Sequence, residues 1–209
     1  MMKRQRTTDH NSQTERALQM LTAKGMVRRH EFVSASIAPE TLARLVRKRQ
    51  LTRVARGLYQ KANAKPSAQH CLAEVAKLVP LGVICLISAL QFHRLTSEVP
   101  AMVWVAIPNS SWRPTLRYPP VHAVNFGPAA YATSIEIHRV ERVPVQIYGV
   151  AKTIVDCFRY RNKIGPKIAA DALRTALADR RCSAHEIIEL AERLRVAQVV
   201  RTYLEAVAT

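Results

Sequence analysis

Apolar positions recur with two different periods along the chain, and each change of period marks an element. Ala17, Leu18, Met20 and Leu21 keep helical spacing after Ser12-Gln13-Thr14-Glu15, a run that fits a capping box. This predicts a helix from Ser12 to about Lys24, stopped by Gly25. A short helix over 31–36 follows, anchored by Phe32 and Val33. Pro39 suits the first position of a third helix over 39–49, whose Leu42, Leu45 and Val46 share one face. The spacing then changes to that of strands over 51–54 and 58–61. Between them, Gly57 takes the positive φ that a hairpin turn demands.

Residues 61–67 (KANAKPS) are polar, contain a proline and read as a linker. Beyond them the pattern predicts a helix over 68–79, a strand over 83–86 and a brief helix capped by Ser88. Segments 102–107, 121–125, 135–140 and 143–148 are rich in β-branched residues and separated by Pro, Gly, Asn and Ser. The last two form a hairpin at Glu141-Arg142. Helical spacing returns over 151–160, 165–179, 183–194 and 199–206. The predicted fold class is therefore α+β, with a disordered basic arm at 1–12 and a winged helix-turn-helix at 13–64. A mixed α+β domain with a helical C-terminal tail occupies 65–209.

Charge turns this outline into a function. The formal net charge is +17 and the sequence pI is near 10.5. Residues 1–65 hold 15 Lys/Arg against 4 Asp/Glu, whereas residues 66–209 hold 17 against 11. The excess at the amino-terminal end points to a polyanionic partner. Within the third helix, Thr41, Arg44, Arg47 and Lys48 share a face turned away from Leu42 and Leu45. These four side chains can reach base edges or phosphates of double-stranded DNA, since arginine matches the paired acceptors of guanine. Arg53, Arg56 and Lys61 on the hairpin, with Arg28 and Arg29 ahead of the second helix, suit phosphate contacts.

Other chemistries find little support. The longest apolar run, 78–90, is broken by Pro80, Gly82 and Ser88 and falls short of the roughly 20 residues of a membrane span. The start, MMKRQRTTDHNSQ, lacks the apolar core of a secretory signal, so a cytoplasmic location is expected. Cys71, Cys85, Cys157 and Cys182 form no CxxC pair and read as reduced buried thiols rather than zinc ligands. Ser88, His93 and Asp156 supply the residue types of a hydrolase triad, but no GxSxG surrounds the serine. Asp156 and Glu136 stand alone in sequence, unlike the clustered carboxylates of a magnesium nuclease, and His122 and His138 fit ordinary strand positions. Neither catalysis nor a cofactor is expected.

The chain resembles the AbiEi family of antitoxins, the transcriptional-regulator half of abortive-infection type IV toxin–antitoxin pairs. The resemblance rests on TLARLVRKRQLTRVARGLYQ with its RGxY hairpin, LISALQFHRLT (86–96), AKTIVDCFRYRNKIG (151–165) and RVAQVVRTYLEAV (195–207). It implies a winged helix that represses its own operon, and a carboxy-terminal domain that counteracts a nucleotidyltransferase-like toxin without a stable complex. It further implies that Asp156, Arg159 and Arg161 belong to the antitoxin domain's signature. One departure is Ala38 at the cap of the third helix, where a serine would supply a side-chain acceptor worth about 1 kcal/mol. The alternative is a stand-alone winged-helix regulator whose second domain senses a ligand or dimerises.

Overall fold

Gly25 decides where the first helix ends. In the computed structural model, which describes residues 2–208 and the side chains of residues 12–206, α1 spans Met2–Lys24. Gly25 follows at φ +71°, and its N–H donates to the Leu21 carbonyl at 2.9 Å. A side chain here would be strained in the left-handed region, and its Cβ would lie 1.9 Å from the Glu141 carbonyl oxygen. The other end of α1 differs from expectation. Ser12 and Glu15 lie inside the helix, because the Lys, Arg and Gln that precede them are good helix formers. Most side chains of the segment expected as a basic arm lie outside the described residues.

The chain divides into two compact units, Met1–Pro80 with Arg139–Pro144, and Leu81–His138 with Val145–Thr209. In the first, α1 is followed by β1 (Met26–Arg28), α2 (Arg29–Ser34), α3 (Pro39–Arg47), β2 (Leu51–Ala55), β3 (Leu58–Lys61) and α4 (His70–Leu78). The three strands form an antiparallel sheet in the order β1-β3-β2. Val27 pairs with Tyr59 and Arg53 with Tyr59, and a bulge between Arg53 and Ala55 shifts the register. Gly57 turns the β2–β3 hairpin at φ +73°. One core joins Ala17 and Leu21 of α1 to Phe32, Leu42, Leu45 and Leu51, all at most 2% exposed. Each such leucine contributes on the order of 1.5–3 kcal/mol by leaving water. Val33, expected beside Phe32 in this core, is instead 52% exposed, because a six-residue helix turns only one anchor inward.

The second unit is built on a five-stranded sheet in the order β6-β5-β4-β8-β7. Its strands are β4 (Val83–Ile84), β5 (Val103–Pro108), β6 (Val121–Phe126), β7 (Ile135–Val140) and β8 (Val143–Tyr148). β5 and β6 run parallel, with Val103 opposite Val121 and Pro108 opposite Phe126, so residues 109–120 carry the chain from one end of the sheet to the other. β4 is antiparallel to β5 and parallel to β8. The β7–β8 turn uses positive φ at both Glu141 and Arg142, the geometry of a tight hairpin.

The helices of this unit are α5 (Leu86–Phe92), α6 (Pro128–Ala132), α7 (Val150–Arg159), α8 (Arg161–Ile164), α9 (Pro166–Ala178), α10 (Ala184–Arg193) and α11 (Ala197–Ala208). Ser183 and Glu186 cap the start of α10 reciprocally. Ser88 does not cap α5 as expected: Cys85 occupies that position, and the Ser88 hydroxyl inside the helix accepts the Trp104 N–H at 2.9 Å. The architecture is mixed α+β. Among the described residues no helix is long and apolar enough to cross a membrane.

Candidate nucleic-acid interface

The cations of α3 and the β2–β3 hairpin owe their exposure to the apolar residues between them. Leu42 and Leu45 point into the core, which turns Arg47 and the capping residue Lys48 to solvent. Arg53 and Arg56 are also exposed, and Arg53 Nε donates to its neighbour Ala55 O at 3.4 Å. Among the described residues none of these four makes an ion pair, while Glu31 takes both Lys24 and Lys77. Arg44 and Arg47 in the last turn of α3 also suit the helix dipole, a contribution of about 0.3–1 kcal/mol that needs no partner.

Other residues expected on this surface sit differently. Thr41 is 1% exposed, and its hydroxyl donates to Gln13 Oε1 at 3.1 Å. Gln13 also accepts the Ala38 N–H, so α1 covers the start of α3 and withdraws Thr41 from the exposed face. This corrects its expected reach to DNA. Arg44 is half-buried, with Nη2 donating to Thr14 Oγ1 at 2.9 Å. Lys61 is half-buried. Arg28 is half-buried with Nη1 on the Lys77 carbonyl, and exposed Arg29 ties its N–H to Gly57 O at 2.7 Å. That bond joins the start of α2 to the hairpin turn. A shallow cavity of about 450 Å³ between them is lined by Arg28, Arg29, His30, Val33 and Gly57. Arg49, exposed at φ +55° just past the Lys48 cap of α3, was not assigned from the sequence despite extending the same basic run.

Glu31 on α2 pairs with both Lys24 and Lys77. Burial pushes its carboxyl up, but the Arg28 N–H and the Lys24 and Lys77 ammoniums outweigh burial and hold it at about 2.

In the second unit, the three signature residues have different surroundings. Asp156 is fully buried and pairs with the equally buried Lys152, one helical turn earlier on α7. Lys152 also faces the rings of Tyr148 and Phe126, 4.2 and 4.9 Å from their centroids. Burial raises Asp156 to about 6, against the lowering pull of Lys152 and Arg159, and the same burial lowers Lys152. Lys152 escaped the sequence reading, although a cation and an acid four apart in the apolar run AKTIVDCF are a legible signal. Arg159 is exposed, while Arg161 is half-buried with Nη1 on the Phe158 carbonyl.

The residues of the considered triad are spent separately, Ser88 on Trp104, His93 Nε2 on the Tyr148 carbonyl at 2.8 Å, and Asp156 on Lys152. They form no hydrolase site. None of the four cysteines forms a disulfide among the described residues, and burial pushes the Cys85 and Cys157 thiols well up.

Comparison with known proteins adds a likeness of fold and a family-model match over one segment. A crystal structure of the RV2827C protein from Mycobacterium tuberculosis superposes with a TM-score of 0.56 at 14% identity, covering 94% of this chain and 80% of that one. At that identity the likeness is one of fold. No curated protein sequence matches. Residues 16–60, the segment that carries α3 and the basic hairpin, match the family model described as a transcriptional regulator, AbiEi antitoxin.

Proposed function

We propose that the chain is a DNA-binding transcriptional regulator and antitoxin whose segment 13–64 acts as a winged helix-turn-helix. In this reading α3 enters the major groove and the β2–β3 hairpin is the wing on the adjoining backbone. Arg47 and Lys48 read or grip the groove. Arg29, Arg53, Arg56 and Lys61 contact phosphates, with Arg28 and Arg44 in supporting positions. The carrying observation is that Arg47, Lys48, Arg53 and Arg56 are exposed and make no ion pair among the described residues. Duplex phosphates supply the missing counter-charge.

The regulator represses its own operon. Residues 65–209 counteract a nucleotidyltransferase-like toxin without a stable complex, in the cytoplasm and without catalysis of their own. Asp156, Arg159 and Arg161 serve this second domain, Asp156 as an internal support for α7. Gel-shift titration of the chain on its own promoter tests the DNA-binding reading. Arg47→Ala with Lys48→Ala is expected to weaken binding at least tenfold while circular dichroism stays unchanged. Equal binding by wild type and variant would refute the assignment.

A further inference from the structure

A second basic surface lies in the second unit and uses none of the residues assigned above to duplex recognition. The crossover segment 109–120 between parallel strands β5 and β6 carries Trp112, Arg113, Arg117 and Tyr118. Trp112 is 97% exposed and Tyr118 61% exposed, and both arginines face solvent. A lone exposed aromatic is ordinary on a protein surface. What surrounds this one is not. No Asp or Glu occurs between Glu98 and Glu136, nor between Asp156 and Asp171, where Arg159, Lys163 and Lys167 lie.

The fold brings these two acid-free segments together. Arg113 Nε donates to Asn125 Oδ1 at 3.3 Å, at the end of β6. Asn125, Asn109, Arg159 and Tyr160 line a cavity of about 210 Å³. The Tyr160 ring stacks on Phe126 at 5.5 Å, and Lys163 Nζ lies 5.6 Å from its centroid. Burial lowers the pKa of half-exposed His122, and the charges of Lys163 and Arg113 lower it further. Among the described residues Arg113, Arg117, Arg159 and Lys163 make no ion pair.

We infer that the second unit binds single-stranded nucleic acid through Trp112 and the cations around the cavity at the ends of β5 and β6. A base stacks on the exposed Trp112 face, and Arg113, Arg117 and Lys163 follow the phosphates. The cavity edged by Arg159 takes one phosphate, while the amides of Asn109 and Asn125 meet sugar or base edges. A duplex hides its base faces, so an exposed indole favours an unpaired strand. An aromatic rim beside cations also suits an anionic membrane, and the test separates the two.

The full chain is titrated against fluorescein-labelled oligo(U) and oligo(dT) 12-mers by anisotropy, with intrinsic tryptophan fluorescence followed in parallel. Trp112→Ala is expected to weaken strand binding by about 5- to 150-fold, the range of one lost base stack. Because Trp112 is 97% exposed, the variant keeps its fold, which circular dichroism verifies. Arg113→Ala with Arg159→Ala is expected to flatten the salt slope for strands by about 1.4. Affinity for promoter duplex is expected to change less than twofold in every variant, so failure here leaves the duplex reading untouched. Tighter binding of oligo(U) than oligo(dT) identifies the strand as RNA, and the reverse identifies DNA; both support the inference. It is overturned if Trp112→Ala leaves strand affinity unchanged or weakens duplex equally. It is also overturned if phosphatidylglycerol vesicles quench Trp112 and the strands do not.

Discussion

Replacing Lys152 by methionine removes the cation that holds the buried Asp156 carboxylate in its charged form. In the wild type, Asp156 titrates at about 6 instead of 3.8, with burial as the raising cause and Lys152 as the main counterweight. A raised acid binds its proton more tightly in the folded state. Its stabilising contribution is therefore full below pH 4 and is lost as pH climbs through 6. Without Lys152 the folded-state value climbs further, at about 1.4 kcal/mol per unit. The stability gap between Lys152→Met and wild type is thus expected to be small at pH 5 and to widen by at least about 1 kcal/mol at pH 8. Asp156→Asn alone strands the ammonium in an apolar box and is expected to cost about 3–5 kcal/mol at pH 7. That is a large share of the ~5–15 kcal/mol available to a domain. The assay is urea unfolding followed by tryptophan fluorescence, since Trp104 and Trp112 both lie in the second unit. A Trp112→Phe background leaves half-buried Trp104, packed 4.0 Å from His122, as the reporter. A gap between variant and wild type that does not change from pH 5 to pH 8 would refute this account of the pair.

Two further outcomes follow from the first unit. Gly25→Ala combines a strained positive φ with a Cβ 1.9 Å from Glu141 O, and a loss of about 2 kcal/mol or more is expected in thermal melts. A loss under about 0.5 kcal/mol would mean that Gly25 is not so constrained. Glu31, held at about 2 against an ordinary 4.5, contributes stability above pH 4.5 that is lost as pH falls toward 2. Allowing for solvent screening, Glu31→Gln is expected to cost about 1 kcal/mol at pH 7 and almost nothing at pH 2.5, as read by chemical denaturation at both values.

Elements with a strong local pattern could be read from the sequence, and those made by distant partners could not. The β2–β3 hairpin announces itself through Leu51, Val54, Leu58 and Gly57, and α3 through Pro39, Leu42 and Leu45. β1 is three residues long and exists because β3 pairs with it from thirty or more positions later. Its MVR carries no period of its own. The start of α1 is not legible locally, because Ser-x-x-Glu is as compatible with a helix interior as with a cap.

Within the candidate interface, the helical wheel alone sets Thr41 on the exposed face of α3 with Arg44, Arg47 and Lys48, and it could not foresee Gln13 arriving from α1 to cover it. The exposure of Arg47, Lys48, Arg53 and Arg56 was legible because it is the complement of the apolar face. The cations and amides grouped at the ends of β5 and β6 were not. They come from residues 109–126 and 159–163, which only the parallel β5–β6 pairing and the end of α7 bring together.

The most direct test of duplex binding by the first unit is the salt dependence of promoter affinity. Six cations directed at the duplex, Arg29, Arg47, Lys48, Arg53, Arg56 and Lys61, predict a log–log slope of roughly −5, reduced in magnitude by about 2 in Arg53→Ala with Arg56→Ala. A slope near zero, or one that the double substitution leaves unchanged, would contradict it.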